Sequence, residues 1–285
     1  MVRMRFALVA VTAVGLLASA CGGGETGNGA GSGGIDHPTG ADELVLRVEN
    51  VGGFVPVDWT LRSLPGVSLY GDGRLIVEGP VIEIYPGPAL PNLQVTRISE
   101  EGVQAILGAA RGAGLMDGDA SYDYRCVADA GTTRFTVAAG GRTNVVSAYA
   151  LGLEAGDCPG ADLEARAALE GFQAKLGDLR TWLPQGAVSR EEEYVPTGMR
   201  VFVQPYRGEP DLPQPPVAWP VEGGLRHFGE PVEILPGTRC GVVEGPDLEP
   251  LLEAARSANQ LTPWTSDGER FSVTFRPLLP DERGC

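Results

Sequence analysis

Val103-Gln104-Ala105-Ile106-Leu107-Gly108-Ala109-Ala110-Arg111 and Leu248-Glu249-Pro250-Leu251-Leu252-Glu253-Ala254-Ala255-Arg256 are the two stretches whose reading decides the fold. In each, the apolar residues fall at i, i+3, i+4 and i+7, which puts them on one face of a 3.6-residue helix. Each ends in Ala-Ala-Arg. Ser99 followed by Glu100 and Glu101 supplies a capping hydroxyl and favourable charge for the first N-terminus. Asp247 occupies the same place before the second, with Pro250 in the first turn, where a missing N–H costs little. One amphipathic helix thus recurs about half a chain later, the mark of an internal repeat.

The flanks agree in order. Alternating strands are expected at 44–48 and 199–204. A hairpin around an acidic-Gly turn follows each: Asp72-Gly73 between strands at 67–70 and 75–77, and Glu222-Gly223 between strands at 217–219 and 225–228. After each helix comes another strand, at 133–138 and at 270–275. The first copy adds a strand at 144–149 and a helix over 162–179 with Leu169, Phe172, Leu176 and Leu179 on its apolar face. The expected fold is therefore α+β. Two similar small lobes each lay one helix across an antiparallel sheet, in the order β-β-β-α-β, and are joined by a helix and a linker. The first lobe spans 43–183, the linker 184–198 with Glu191-Glu192-Glu193, and the second lobe 199–285.

Ahead of the lobes, Arg3 and Arg5 precede an apolar run over 6–18 and a small-residue stretch ending in Leu17-Ala18-Ser19-Ala20-Cys21. The run is too short to be a permanent membrane span and has the charge and length of a signal peptide, 1–20. It resembles the signal peptide and lipobox of bacterial lipoproteins, over about the first tenth of the chain. The resemblance implies that Cys21 becomes the lipid-modified first residue, placed on the extracytoplasmic face of the cell membrane and held there by acyl chains. Two points bear on it. The usual leucine three residues before the cysteine is Ala18 here, with Leu17 one step further out. Ala18-Ser19-Ala20 also fits the small-x-small site of ordinary signal peptidase, which would leave Cys21 as an unmodified N-terminus. The glycine-rich stretch within 21–42 reads as a flexible tether of roughly 20 Å r.m.s. span.

The chain has five cysteines. Setting Cys21 aside leaves Cys126, Cys158, Cys240 and Cys285, an even number suited to an oxidising compartment. Four cysteines allow three connectivities. Cys126–Cys158 with Cys240–Cys285 keeps each bridge inside one lobe, each contributing on the order of 3 kcal/mol by restricting the unfolded chain. Formal net charge is −15, from 37 acidic against 22 basic residues; loss of Arg3 and Arg5 with the leader makes it more negative still. That balance argues against nucleic acid and against adhesion to anionic headgroups. No later stretch is long and apolar enough to cross a bilayer, so membrane attachment would run through Cys21 alone.

Catalytic signatures do not emerge. There is no G-x-S-x-G elbow, no H-E-x-x-H and no phosphate-binding loop, and Lys175, the only lysine, has no serine three residues before it. The two histidines are His37, in the tether, and His227, in an expected strand, so neither zinc nor a triad finds its ligands. Asp117, Asp119, Ser121 and Asp123 alternate as the start of a calcium loop does, but Tyr122 and Ala128 stand where such a loop needs glycine and a bidentate glutamate. Apart from calcium there, no cofactor is expected. Two proline-rich stretches carry aromatic residues, Tyr85 in 80–91 and Trp219 in 210–220, and these are where a recognition face would lie. The expectation is a membrane-anchored, non-enzymatic binding module at the cell envelope for an envelope protein or small ligand. The alternatives are an envelope hydrolase with an acidic site or a purely structural envelope protein.

Overall fold

Two sheets carry the chain, each with helices packed across one face. The structure, a computed structural model, describes residues 33–153 and 158–285, apart from the side chains of Val57 and Asp58. The signal-like leader, Cys21 and most of the glycine stretch lie outside the described residues. The first lobe runs β1 (Leu44–Val51), α1 (Val57–Arg62), β2 (Val67–Tyr70), β3 (Arg74–Glu78), β4 (Leu93–Arg97), α2 (Glu100–Gly112), β5 (Ala120–Tyr122), β6 (Thr132–Ala139), β7 (Arg142–Tyr149), α3 (Leu163–Gly177) and β8 (Glu192–Glu193). The second runs β9 (Gly198–Pro205), β10 (Val217–Ala218), β11 (Glu230–Pro231), β12 (Arg239–Glu244), α4 (Leu248–Arg256), β13 (Pro263–Ser266) and β14 (Glu269–Pro277). The fold is α+β in two lobes.

Strand order is β5-β7-β6-β1-β2-β3-β4-β8 in the first sheet and β10-β13-β14-β9-β12-β11 in the second. Alternation makes the faces: Thr133, Phe135, Val137 and Ala139 of β6 point one way and are buried. On that side the stripe of α2, Val103, Ile106, Leu107 and Ala110, packs with Leu169, Phe172 and Leu176 of α3. The Ser99 hydroxyl caps α2 by accepting from the Gly102 N–H at 3.2 Å. The hairpin between β2 and β3 turns where the sequence places it. Gly73 has φ +81°, and a Cβ there would collide with the Ile98 carbonyl, so glycine is required on two counts.

In the second lobe, α4 buries Leu248, Leu251, Leu252 and Ala255 against Met199, Val201 and Val203 of β9 and Val273 and Phe275 of β14. An aromatic cluster fills the remainder: Trp219 lies edge-on to Phe228 and Trp264, and Trp264 edge-on to Phe275, with centroids 5.2–6.0 Å apart. The indole N–H groups of Trp219 and Trp264 are buried without a hydrogen-bond partner. Each would cost about 1–3 kcal/mol of lost hydration, less than the apolar area these rings bury.

The second lobe departs from the expected repeat. Residues 225–227 form a 3-10 turn rather than a strand, so His227 sits on a turn. The stretch at 217–218 pairs parallel with β13 instead of closing a hairpin. The Glu222-Gly223 signal was overridden because Leu225 is drawn fully into the core with Trp219 and Trp264. Asp247 makes no side-chain cap; a 3-10 turn over Gly245–Asp247 leads into α4 instead. The strand before the helix also differs between lobes. β12 lies directly beside the central β9, whereas β4 is separated from β1 by β2 and β3. The shared helix stripe is thus set on sheets of different connectivity.

Residues expected as a linker are held to the first sheet: Val188 bridges Ile98, β8 pairs with β4, and Tyr194 is buried. Residues 35–42, expected in the tether, are likewise engaged. The Ile35 N–H donates to Gln104 Oε1 at 2.7 Å and the Gly140 N–H to the Asp36 carbonyl at 2.7 Å. Both disulfides, Cys126–Cys158 and Cys240–Cys285, are formed with Cα–Cα distances of 5.8 and 6.1 Å. Such bridges persist in an oxidising, extracytoplasmic compartment. Among the described residues, no helix is long and apolar enough to cross a membrane.

Two substitutions separate core from cap. Trp264→Ala is expected to lower unfolding free energy by about 3–5 kcal/mol, and Ser99→Ala by about 1 kcal/mol, read from urea denaturation. Equal losses for the two would contradict the packing described.

Candidate functional site

Charge inside the molecule concentrates where the lobes meet. After β14 the chain crosses the outer face of the first sheet, where Leu279 is buried with Leu64, Tyr70, Ile76, Leu93 and Tyr194. Asp281 accepts from Arg47 Nη2 at 2.8 Å and from the Tyr70 hydroxyl at 2.7 Å. Glu282 takes both terminal nitrogens of Arg276, at 2.6 and 2.7 Å, while Arg276 Nε donates to the Ser63 carbonyl at 2.9 Å. The Tyr194 hydroxyl donates to the Leu278 carbonyl at 2.9 Å.

Burial alone would push the Asp281 carboxyl up, but the hydrogen bonds from Arg47 and Tyr70 and the charge of Arg47 outweigh it and hold it below the usual range. For Glu282 burial likewise acts upward, and the bonds and charge of Arg276 bring it below its ordinary value. Desolvation raises the Tyr70 hydroxyl far beyond its usual range and takes Tyr194 to about 12. Both carboxylates are therefore ionised and bonded to guanidinium groups at neutral pH. That suits a clamp between lobes rather than proton exchange with a substrate.

A second locus has the opposite character. Register fixes which strand ends lie together: Val48 pairs with Val67, Val67 with Val77, Glu78 with Leu93 and Val51 with Thr132. The end of β1, the start of β2, the end of β3 and the start of β4 are thus one end of the first sheet. At this end a cleft of about 300 Å³ opens between the lobes. Trp59 and Arg62 of α1, Glu78, Val81, Leu90 and, from the second lobe, Gln260 and Phe275 are among its walls. A recess of about 180 Å³, lined by Arg62, Tyr85, Gln260 and Val273 among others, shares two of those side chains. Among the described residues Arg62 and Glu78 have no hydrogen-bond or ion-pair partner, in contrast to the clamp. Burial pushes the Glu78 carboxyl up. Val81, Ile82, Ile84 and Tyr85 stand beside the cleft, 58–73% exposed.

Tyr85 is thus brought to the cleft region, on an exposed loop. Trp219 is not: it is a core residue at 9% exposure, because the proline-flanked strand β10 turns its ring inward onto Trp264. The acidic alternation at 117–123 becomes the strand β5 and its flanks. There Asp119 accepts from the Val145 N–H at 2.8 Å and Asp123 pairs with Arg125 at 3.2 Å. Among the described residues no three His, Cys, Asp or Glu side chains are grouped to hold a metal ion. Trp59, Arg62 and Glu78 escaped the sequence reading. The available signal was the aliphatic run Val81-Ile82-Glu83-Ile84 inside a proline-bounded loop, where such residues have no sheet to bury against.

No protein-family model matches the chain, no curated protein is significantly similar to it in sequence, and no solved structure is significantly similar to it in fold.

The clamp makes a pH prediction. Both carboxylates have folded-state values below those of the unfolded chain, so their contribution is complete above about pH 5 and is lost as pH falls through the lower folded values. The double variant Asp281→Asn/Glu282→Gln should be less stable than the parent at about pH 7, with the gap closing toward about pH 3. A gap in urea midpoint that stays constant across that range would contradict the assignment.

Proposed function

We propose that the chain is an exported lipoprotein, anchored through acyl chains on Cys21 at the extracytoplasmic face of the cell membrane. Its body is a non-enzymatic binding module. The signal-like sequence and Cys21 support the anchor, together with the even set of four disulfide-bonded cysteines that remain. The observation that carries the binding reading is a contrast between two polar loci. At the lobe junction each acidic group is bonded to a guanidinium, while in the cleft Arg62 and Glu78 are left uncommitted beside exposed aliphatic and aromatic side chains. Uncommitted polar groups in a largely apolar concavity are what ligand recognition uses. A hydrolase working through paired carboxylates needs two of them converging on one cavity with values pushed apart. Among the described groups that line the cleft, Glu78 alone has a raised value.

Orientation supports the same reading. The body's first residues dock at the end of the first sheet opposite the cleft: Asp36 meets the β6–β7 turn at Gly140, and the Gly71 N–H donates to the Glu43 carbonyl at 2.9 Å. The eight residues of β1 separate these ends by about 27 Å. Ile35, where this body begins, and the cleft thus lie at opposite ends of the first sheet.

Intact mass of the protein extracted from membranes tests this. The expected product begins at Cys21, carries diacylglyceryl and acyl mass, and lacks four hydrogens for its two disulfides, while Cys21→Ser partitions into the aqueous phase of a detergent separation. An aqueous wild-type product with five titratable thiols would overturn the proposal.

A further inference from the structure

The loop after β3 is built to hold apolar side chains in water. Its near end is tied to the first sheet: the Gly79 N–H donates to the Asn92 carbonyl at 2.7 Å, and Asn92 Nδ2 donates to the Pro80 carbonyl at 2.8 Å. Its far end is tied to the second lobe. Pro88 bridges Asn259, the Ala89 N–H donates to the Ala258 carbonyl at 3.2 Å, and the Gln260 N–H donates to the Gly87 carbonyl at 2.9 Å. Between these ties the backbone kinks, with the Ile84 N–H donating to the Ile82 carbonyl at 2.9 Å, and the side chains of Val81, Ile82, Ile84 and Tyr85 remain outside both cores. Exposed apolar side chains grouped on one loop that is tied at both ends mark an interaction site. The partly exposed Trp59 lines the adjoining cleft.

We infer that this loop and the cleft beside it form the docking surface for a partner polypeptide that presents a short apolar segment carrying one carboxylate. The inference rests on the reading of the chain as a binding module and names the chemistry of its partner. Trp, Tyr and Arg are the residue types that dominate binding hot spots, and here Trp59, Tyr85 and Arg62 line one pair of connected recesses. Arg62 lines both recesses and has no partner among the described residues. Its planar fork matches a carboxylate in two hydrogen bonds. Glu78 on the cleft wall and the exposed Glu83 on the loop, within a chain of net charge −15, set the limit. One carboxylate can be met by Arg62, whereas a run of them would be repelled. Beyond roughly 8 Å that repulsion is screened at physiological ionic strength, so the contact with Arg62 decides. A bilayer is not the occupant, because the acidic body is repelled by anionic headgroups.

The probe is a phage-displayed library of random short peptides, selected against the full chain. Enriched peptides are then synthesised and titrated by fluorescence anisotropy. They should share one Asp or Glu flanked by aliphatic or aromatic residues. Arg62→Ala and Ile82→Asp should each weaken them by about tenfold or more, while circular dichroism melts of these surface variants stay at the parent value. Replacing the peptide's acidic residue by its amide should weaken binding to the parent but not to Arg62→Ala. Peptides without an acidic position, or peptides insensitive to both substitutions, would overturn the inference and leave the binding-module reading standing. A selection that enriches nothing would overturn both. Sedimentation of the Cys21→Ser chain with phosphatidylcholine–phosphatidylglycerol vesicles, abolished by Ile82→Asp, would instead identify lipid as the occupant and overturn the inference.

Discussion

Asp281 accepts one hydrogen bond from Arg47 and another from Tyr70, and through that pair of contacts the last residues of the chain hold the first sheet. The carboxylate gives up part of its hydration to do so, a cost that its partners offset. A partly buried pair of this kind adds little net stability over a well-packed apolar alternative, but removal of one partner leaves the other charge uncompensated. Its contribution is to the register between lobes. Leu279 fits among Leu64, Tyr70, Ile76 and Leu93 when Asp281 meets Arg47, and Arg276 reaches the Ser63 carbonyl when Glu282 holds its other nitrogens. The Cys240–Cys285 bridge then ties the end of this segment, a strap over residues 278–285, back to β12.

The cleft follows from that register. Its walls come from both lobes: Trp59, Arg62 and Glu78 from the first, Gln260 and Phe275 from the second. Phe275 is also the residue on which Trp264 packs, so one residue of β14 buries its ring in the second core and borders the cleft. The loop through Tyr85 spans the same junction, tied to Asn92 at one end and to the segment around Asn259 at the other. The clamp at the strap and the open polar groups of the cleft are two outcomes of one docking of lobe on lobe. In the first, charges are satisfied internally; in the second, Arg62 and Glu78 have no such partner among the described residues.

What was legible in the sequence was the local part. The stripe Val103, Ile106, Leu107 and Ala110 and its counterpart in α4 are buried as their spacing requires, and Ser99 caps where a short hydroxyl precedes two glutamates. Alternation marked β6 and β9 because each has one face against a helix. The strand β4 went unread because Leu93–Arg97 carries only a weak alternation, and β12 because Arg239–Glu244 likewise lacks a regular one. The Glu222-Gly223 turn misled because tertiary burial of Leu225 and Trp219 outweighed a local hairpin preference. Trp219 illustrates the same limit: an aromatic beside prolines reads alike whether it faces solvent or a core. The cleft was least legible, since Arg62 and Gln260 stand far apart in the chain and meet only through lobe docking.

Native-state amide hydrogen exchange of the oxidised chain tests the union of the lobes most directly. The slowest amides of Leu44–Val51 and Gly198–Pro205, the central strands of the two sheets, should exchange with one opening free energy and one denaturant dependence. If the second sheet opens by its own lower-energy route while the first stays protected, the strap does not bind the lobes into a unit and the account of the cleft fails with it.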